Sequence, residues 1–284
     1  MKYMLYLLLL LVSCSAWSDN AWQYSKQVER SMVVTGTITV NPDGSVQRYT
    51  LDRQDQLLPE IVELISGSVP TWKFQPMTGS SSPASATMNI RILADKLKGD
   101  QYTLRICGAS FGVHGEDSDE WPHEKERKPV PKYPDDALQT GVGGTVYVVA
   151  LINRQGAVEK VDAIQVNLRA LGDKDIMKEL RRSLARSALK AIANWTFTVP
   201  TKGLHVNDDH WMVRIPVNFL ISGRDSGTVS YGHWDAYVPG PVNHIPWLES
   251  EEHIAAGSAD AIPDNDLAFQ DDPRFVLLTS PSEG

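Results

Sequence analysis

The chain has 284 residues, 42% of them hydrophobic and 22% charged, a soluble globular balance with room for about two domains. Its formal net charge of −8 is uneven: nine acidic residues against Arg274 alone, from Glu249 to Gly284, carry the whole excess. The rest of the chain is near neutral, which excludes the broad basic field that nucleic-acid binding needs.

The chain opens on an export-signal pattern. Lys2 supplies a positive start, and Tyr3 to Val12 is an apolar run of ten residues, against roughly 20 for a membrane-spanning helix. A cleaved signal is therefore expected, with two processing readings. Ala16-Trp17-Ser18 suits signal peptidase and gives a signal of residues 1–18. Leu11-Val12-Ser13-Cys14 resembles a lipoprotein box, which would end the signal at residue 13 and make Cys14 the lipidated first residue. Cys107 is the one other cysteine, so the mature chain has no intramolecular disulfide. Within the apolar stretch Tyr102 to Phe111 it is expected to be a small buried hydrophobe.

After a lead-in ending near Arg30, Ser31 to Val40 alternates as a strand. Asn41-Pro42-Asp43-Gly44 is a turn in which Pro presets φ and Gly tolerates positive φ. A second strand runs from Ser45 to about Leu51. Leu57, Leu58, Ile61, Val62 and Ile65 then recur at helical spacing, with Pro59 and Glu60 suited to a first turn and Gly67 and Pro70 as stops. Trp72-Lys73-Phe74 opens an extended segment, and Thr78 to Ala86 is a loop. Met88 to Leu93 and Tyr102 to Cys107 alternate as strands. Residues 31–111 thus form a first domain, and the charged stretch 112–129 a linker.

Residues 130–222 repeat this grammar. Gly144 to Ile152 is a strand, Asn153-Arg154-Gln155-Gly156 a turn, and Ala157 to Val166 a strand. Ile176, Leu180, Leu184, Ala188 and Ile192 form a helical stripe, with Lys178, Arg181, Arg182 and Arg186 off it. Trp195-Thr196-Phe197 follows, and His210 to Ile221 is the last strand. Gly36, Gly44 and Trp72 correspond to Gly144, Gly156 and Trp195. Residues 223–248 are an aromatic extension, read as a wrap on the second domain with interface chemistry as the alternative. Residues 249–284 are expected to be an acidic disordered tail, with salt-sensitive pairing to the basic helix face as one use for it.

Pro131-Lys132-Tyr133-Pro134, a short helix over Asp135 to Gln139, Gly144, Gly156, Trp195-Thr196-Phe197 and the strand around Val213 to Leu220 resemble the TonB C-terminal domain family. The resemblance covers about Pro129 to Ile221. It is weaker over Met32 to Leu93, where the Pro-x-Tyr-Pro lead-in is missing and the helix is shorter. The implied fold class is α+β: two small domains, each an antiparallel sheet with one helix packed on it.

The resemblance implies strand addition, in which an edge strand pairs with an extended partner segment. The partner would be an envelope protein or an outer-membrane transporter segment. Trp211, Val213, Ile215, Val217 and Phe219 mark the candidate edge, and Pro216 within it suits either an edge position or a device that blocks unwanted pairing. A genuine energy transducer would keep its N-terminus uncleaved and carry a long proline-rich spacer, which neither domain has before it here. A structural envelope protein without an edge partner is the third reading. No histidine spacing matches a metal-ligand pattern, and Ser187-x-x-Lys190 lies inside an amphipathic helix. No enzyme active site, cofactor or nucleic-acid partner is expected, and a membrane is reached only through a lipid anchor or an uncleaved N-terminus.

Overall fold

The computed structural model describes residues 27–77, 81–97, 101–113, 119–203, 205–221, 231–248, 260–262, 268–269 and 274–281. The expected signal and Cys14 lie outside the described residues, and among them no helix is long and apolar enough to cross a membrane.

In the first half, β1 (Glu29–Val40) is the central strand. Its alternation buries Met32, Val34, Ile38 and Val40. The turn at Gly44 folds β2 (Val46–Leu51) back along β1, in register from Gly36↔Leu51 to Val40↔Val46. The chain then forms α1 (Pro59–Ser68), with Pro59 at its first position and Glu60 in its first turn. Pro fits there because that N–H has no intrahelical acceptor, and the acidic side chain complements the helix dipole. Ile61 and Ile65 pack onto the sheet with Trp72, Phe74 and Phe111. Phe111 stands edge-on to both other rings, at centroid distances of 5.9 and 4.9 Å. β3 (Ala84–Lys96) pairs with the other side of β1, and β4 (Tyr102–Val113) with the outer edge of β3 from Ala86↔Val113 to Lys96↔Tyr102.

In the second half, β5 (His123–Glu126) is followed by the short helix α2 (Asp135–Thr140). β6 (Gly144–Asn153) is the central strand, with β7 (Val158–Leu168) on one side. The long helix α3 (Lys174–Ile192) covers one face, its first turn capped by Asp173, whose side chain accepts from the backbone N–H of Asp175 at 2.9 Å. β8 (Thr196–Thr198) pairs with β5, so part of the expected linker is built into this half. β9 (His210–Phe219) lies on the other side of β6 from Gly144↔Phe219 to Asn153↔His210.

Which face of β6 looks inward is now fixed. Val146, Val148 and Ala150 pack under α3, and Val149 packs on the opposite face with Ile164 and Ile245. One helix position differs from the expected stripe. Ile176 is 56% exposed, while Met177 and Ala191 join Leu180, Leu184, Ala188 and Ile192 in the core. A step of four residues overshoots the helical turn by about 40°, so a stripe of fours drifts off the sheet over nineteen residues.

The aromatic extension packs on both halves rather than on the second alone. Tyr231 and Trp234 pack against the first core, and the Tyr231 hydroxyl donates to the Asp52 carbonyl. β10 (Asp235–Tyr237) pairs with Glu29–Ser31 of β1, and Arg169 grips Asp235 with two bonds of 3.1 and 2.8 Å. Val238 exchanges backbone bonds with Leu168, and Trp247 Nε1 donates to Asp162 at 2.5 Å. Within the stretch expected to be a disordered tail, Asp260, Ala261, Ile262 and Phe275 are buried, and β11 (Ala268–Phe269) pairs with β9.

A buried polar cluster joins these pieces. Arg91 of β3 reaches Glu29 at 2.6 Å and Asp260 at 3.0 Å, its Nε donates to the Tyr237 hydroxyl at 3.2 Å, and its Nη1 lies 3.0 Å from Cys107 Sγ. Asp260 also accepts from Tyr237 at 2.9 Å and from Asn167 of β7 at 3.2 Å. Burial works against the Arg91 charge, but Tyr237 and Asp260 outweigh it and hold its pKa above the ordinary value. Burial and the Asp260 charge push the Tyr237 phenol up, and burial pushes the Cys107 thiol up to about 11. Cys107 is half-buried and belongs to this cluster, so it is more than an apolar filler.

Candidate protein-binding edge

β9 forms because its odd positions are apolar and its even ones, Met212, Arg214, Pro216 and Asn218, are mixed. Trp211, Val213, Ile215, Val217 and Phe219 share one face and are all buried in the core under α3. The Trp211 indole donates to the His205 carbonyl at 3.0 Å. The five predicted edge residues therefore come together, but their side chains face inward. A partner on this strand would meet its main chain and the half-buried Met212, Pro216 and Asn218. Asn218 is set by Thr145 of β6, which donates to its side-chain oxygen at 2.6 Å.

The edges of the two sheets are treated differently. The outer side of β7 is taken up by the extension: Asn243 N donates to the Ile164 carbonyl at 2.8 Å, and its Nδ2 to that of Ala163 at 2.8 Å. Arg181 of α3 donates to the Val166 carbonyl at 3.1 Å and to that of Pro239 at 3.2 Å, and burial lowers its pKa. This basic residue thus ties the extension to the helix and the sheet rather than offering charge to a partner. On β9, the described strand pairing opposite β6 is confined to Ala268↔Arg214 and Phe269↔Val213. Edge strands without a partner present free main-chain groups, the requirement for strand addition.

The remaining candidate residues have structural partners. His205 pairs with Asp208 at 2.7 Å and His210 with Glu159 at 2.9 Å. No group of three or more His, Cys, Asp or Glu suited to a metal occurs among the described residues. The Ser187 hydroxyl donates to the Lys132 carbonyl and Ser183 to Asp136 at 2.8 Å, which fastens the lead-in and α2 to α3. Asp260 pairs with Arg91 on β3, not with the basic face of α3. The inter-half cluster was not read from the sequence, although Arg91 within the apolar run Met88 to Leu93 is a charge that needs a buried partner.

Residues 129–221 match the family described as Gram-negative bacterial TonB protein C-terminal. No curated protein and no solved structure matches the chain. The matched segment starts at Pro129, whose carbonyl accepts the Trp195 indole N–H at 3.0 Å, and ends at Ile221, just past β9. It therefore holds α2, β6, β7, α3, β8 and β9 as one unit, whose mixed α+β build agrees with the expected fold class.

Proposed function

We propose that residues 129–221 are a protein-binding module of TonB C-terminal type, placed in the periplasm, that takes an extended segment of an envelope protein onto the outer edge of β9. A segment of an outer-membrane transporter is the partner the family points to, and the context would be transport across the outer membrane. The observation that carries this reading is the short length of described pairing on the outer side of β9. Affinity would come from main-chain bonds, and selectivity from Met212, Pro216 and Asn218. Cys14 is the proposed lipid anchor if cleavage falls before it, and an energy-transducing role would need residues 1–18 to stay attached.

The first half is proposed to be a shortened copy of the same unit. The support is geometric. Gly44 and Gly156 have φ of +82° and +77°, and their carbonyls accept the N–H of Phe74 at 2.8 Å and of Phe197 at 2.7 Å. The central strand lies between a hairpin partner and the strand after the helix in both halves.

A structural envelope protein is the second reading, favoured by one observation: the extension and the described parts of the tail hold the halves together. To choose, a photo-crosslinking amino acid is placed at the exposed positions His210 or Leu220 beside the β9 edge in cells expressing the full chain. Strand addition gives adducts with an identified outer-membrane protein from both positions. Adducts within this chain alone, from both, sink the binding reading.

A further inference from the structure

The residues paired with β9 come from the chain's own C-terminal stretch, and their placement is not isolated. On one side of β11, Asp260 is buried against Arg91, Tyr237 and Asn167, and Ser110 of β4 donates to the Ala261 carbonyl at 2.9 Å. On the other side, Phe275 enters the first core beside Phe74, with ring centroids 6.0 Å apart. Gln75 N donates to the Val276 carbonyl, and Leu278 N to that of Lys73, both at 2.8 Å. The Thr279 hydroxyl accepts from Lys73 N at 3.1 Å. The contacts of residues 260–262, shared by both halves, and of residues 274–281 on the first half are thus two clasps that flank Ala268–Phe269, which lies antiparallel on Val213 and Arg214.

We infer that the C-terminal stretch is an intrachain stand-in for the partner strand: Ala268–Phe269 occupies the β9 edge, and a partner must displace it. This rests on the proposed strand-addition role of that edge. A strand on the same chain competes at an effective concentration of roughly millimolar order, so an incoming segment of ordinary affinity is held off until a clasp opens. The clasps give such control a physical handle. Asp260 brings a carboxylate into a buried site, where it is stable only while Arg91 and its hydrogen-bond donors stay in place.

The test uses the full chain and its Ala268→Pro variant, because proline removes the N–H and disfavours sheet pairing. Two readouts are taken. Chymotrypsin cleavage after Phe269 is followed by mass spectrometry, and binding of a labelled synthetic peptide copying residues 264–273 is followed by fluorescence anisotropy. The expected result is that Phe269 resists cleavage in the wild type and is cut at least tenfold faster in the variant, while sites in the two cores stay uncut in both. The variant also binds the peptide at least tenfold more tightly. Equal cleavage after Phe269 in the two proteins overturns the inference and leaves the edge reading standing. Protection lost in the variant, with no peptide bound by either protein, upholds the seated tail and overturns the edge as a strand acceptor.

Discussion

β3 and β9 hold the same place in their halves. Each follows the helix and pairs antiparallel with a central strand that also carries a hairpin partner. What lies on their outer sides differs. β3 is paired with β4 from Ala86 to Lys96, whereas the described pairing on the outer side of β9 is limited to Ala268 and Phe269. The first half has thus satisfied its edge with a strand from the adjacent sequence, joined after a short connection. The second half draws on a segment some fifty residues away, held by contacts to the other half. A local strand closes an edge at small loop cost, and a distant, clasped one leaves it open to exchange. On the proposed reading, the comparison separates a half whose edge is closed locally from a half whose edge takes a partner.

The widest test of the likeness between the halves is at the two turns. A Cβ at Gly44 would meet the Phe74 oxygen at 2.0 Å, and one at Gly156 the Phe197 oxygen at 2.0 Å. With the positive φ added, Gly44→Ala and Gly156→Ala should each cost about 3 kcal/mol or more, read from urea unfolding. A loss under about 1 kcal/mol at one turn only breaks the correspondence.

The next effect belongs to the first half alone. Burial raises the Cys107 thiol from 9.0 to about 11, so the folded state keeps its proton at pH values where the unfolded chain has lost it. Stability from this group is full below about pH 9 and is lost as pH rises through about 11, by about 3 kcal/mol. The Tyr237 phenol, also raised, adds a loss in the same direction at higher pH. Urea midpoints across this range should fall less steeply in Cys107→Ala, and an unchanged slope contradicts the buried-thiol account.

The two tryptophans give a smaller contrast. Trp195 donates to the Pro129 carbonyl, but the buried Trp72 indole has no hydrogen-bond partner among the described residues. No counterpart of the Pro129 lead-in supplies such an acceptor among the described residues of the first half. Trp195→Phe should therefore cost about 1 kcal/mol more than Trp72→Phe. Equal losses in chemical unfolding would mean that the lead-in does not set this difference. The smallest effect is at Ile176, where Ile176→Ser should stay within about 0.5 kcal/mol of wild type because the side chain points outward.

The long strands, both glycine turns and the two helices that cover the sheets were legible because each rests on a local rule: period two, positive φ or a helical stripe. Ile176 was misplaced because a four-residue step only approximates the helical turn. Contacts made over long sequence separations were not legible. β5 is a short charged segment, β10 has three residues and β11 two, too few to show alternation. Asp260 reads as one more acid in a polar tail until Arg91 is seen opposite it. At the candidate site, the sequence located the strand and the apolar set on it. It could not show that those side chains face the core or that a second segment of the chain lies against the edge.

The most direct measurement is residue-resolved amide hydrogen exchange along β3 and β9 in the intact protein. An edge kept for a partner predicts slow exchange throughout Ala86 to Leu93, whose two sides are both paired. On β9 it predicts alternation: slow where the N–H meets β6, fast where it faces outward, with outward protection confined to the one of Val213 and Arg214 whose N–H turns toward Ala268–Phe269. Uniformly slow exchange along the whole of β9 would show that the chain fills this edge itself, and would contradict the account.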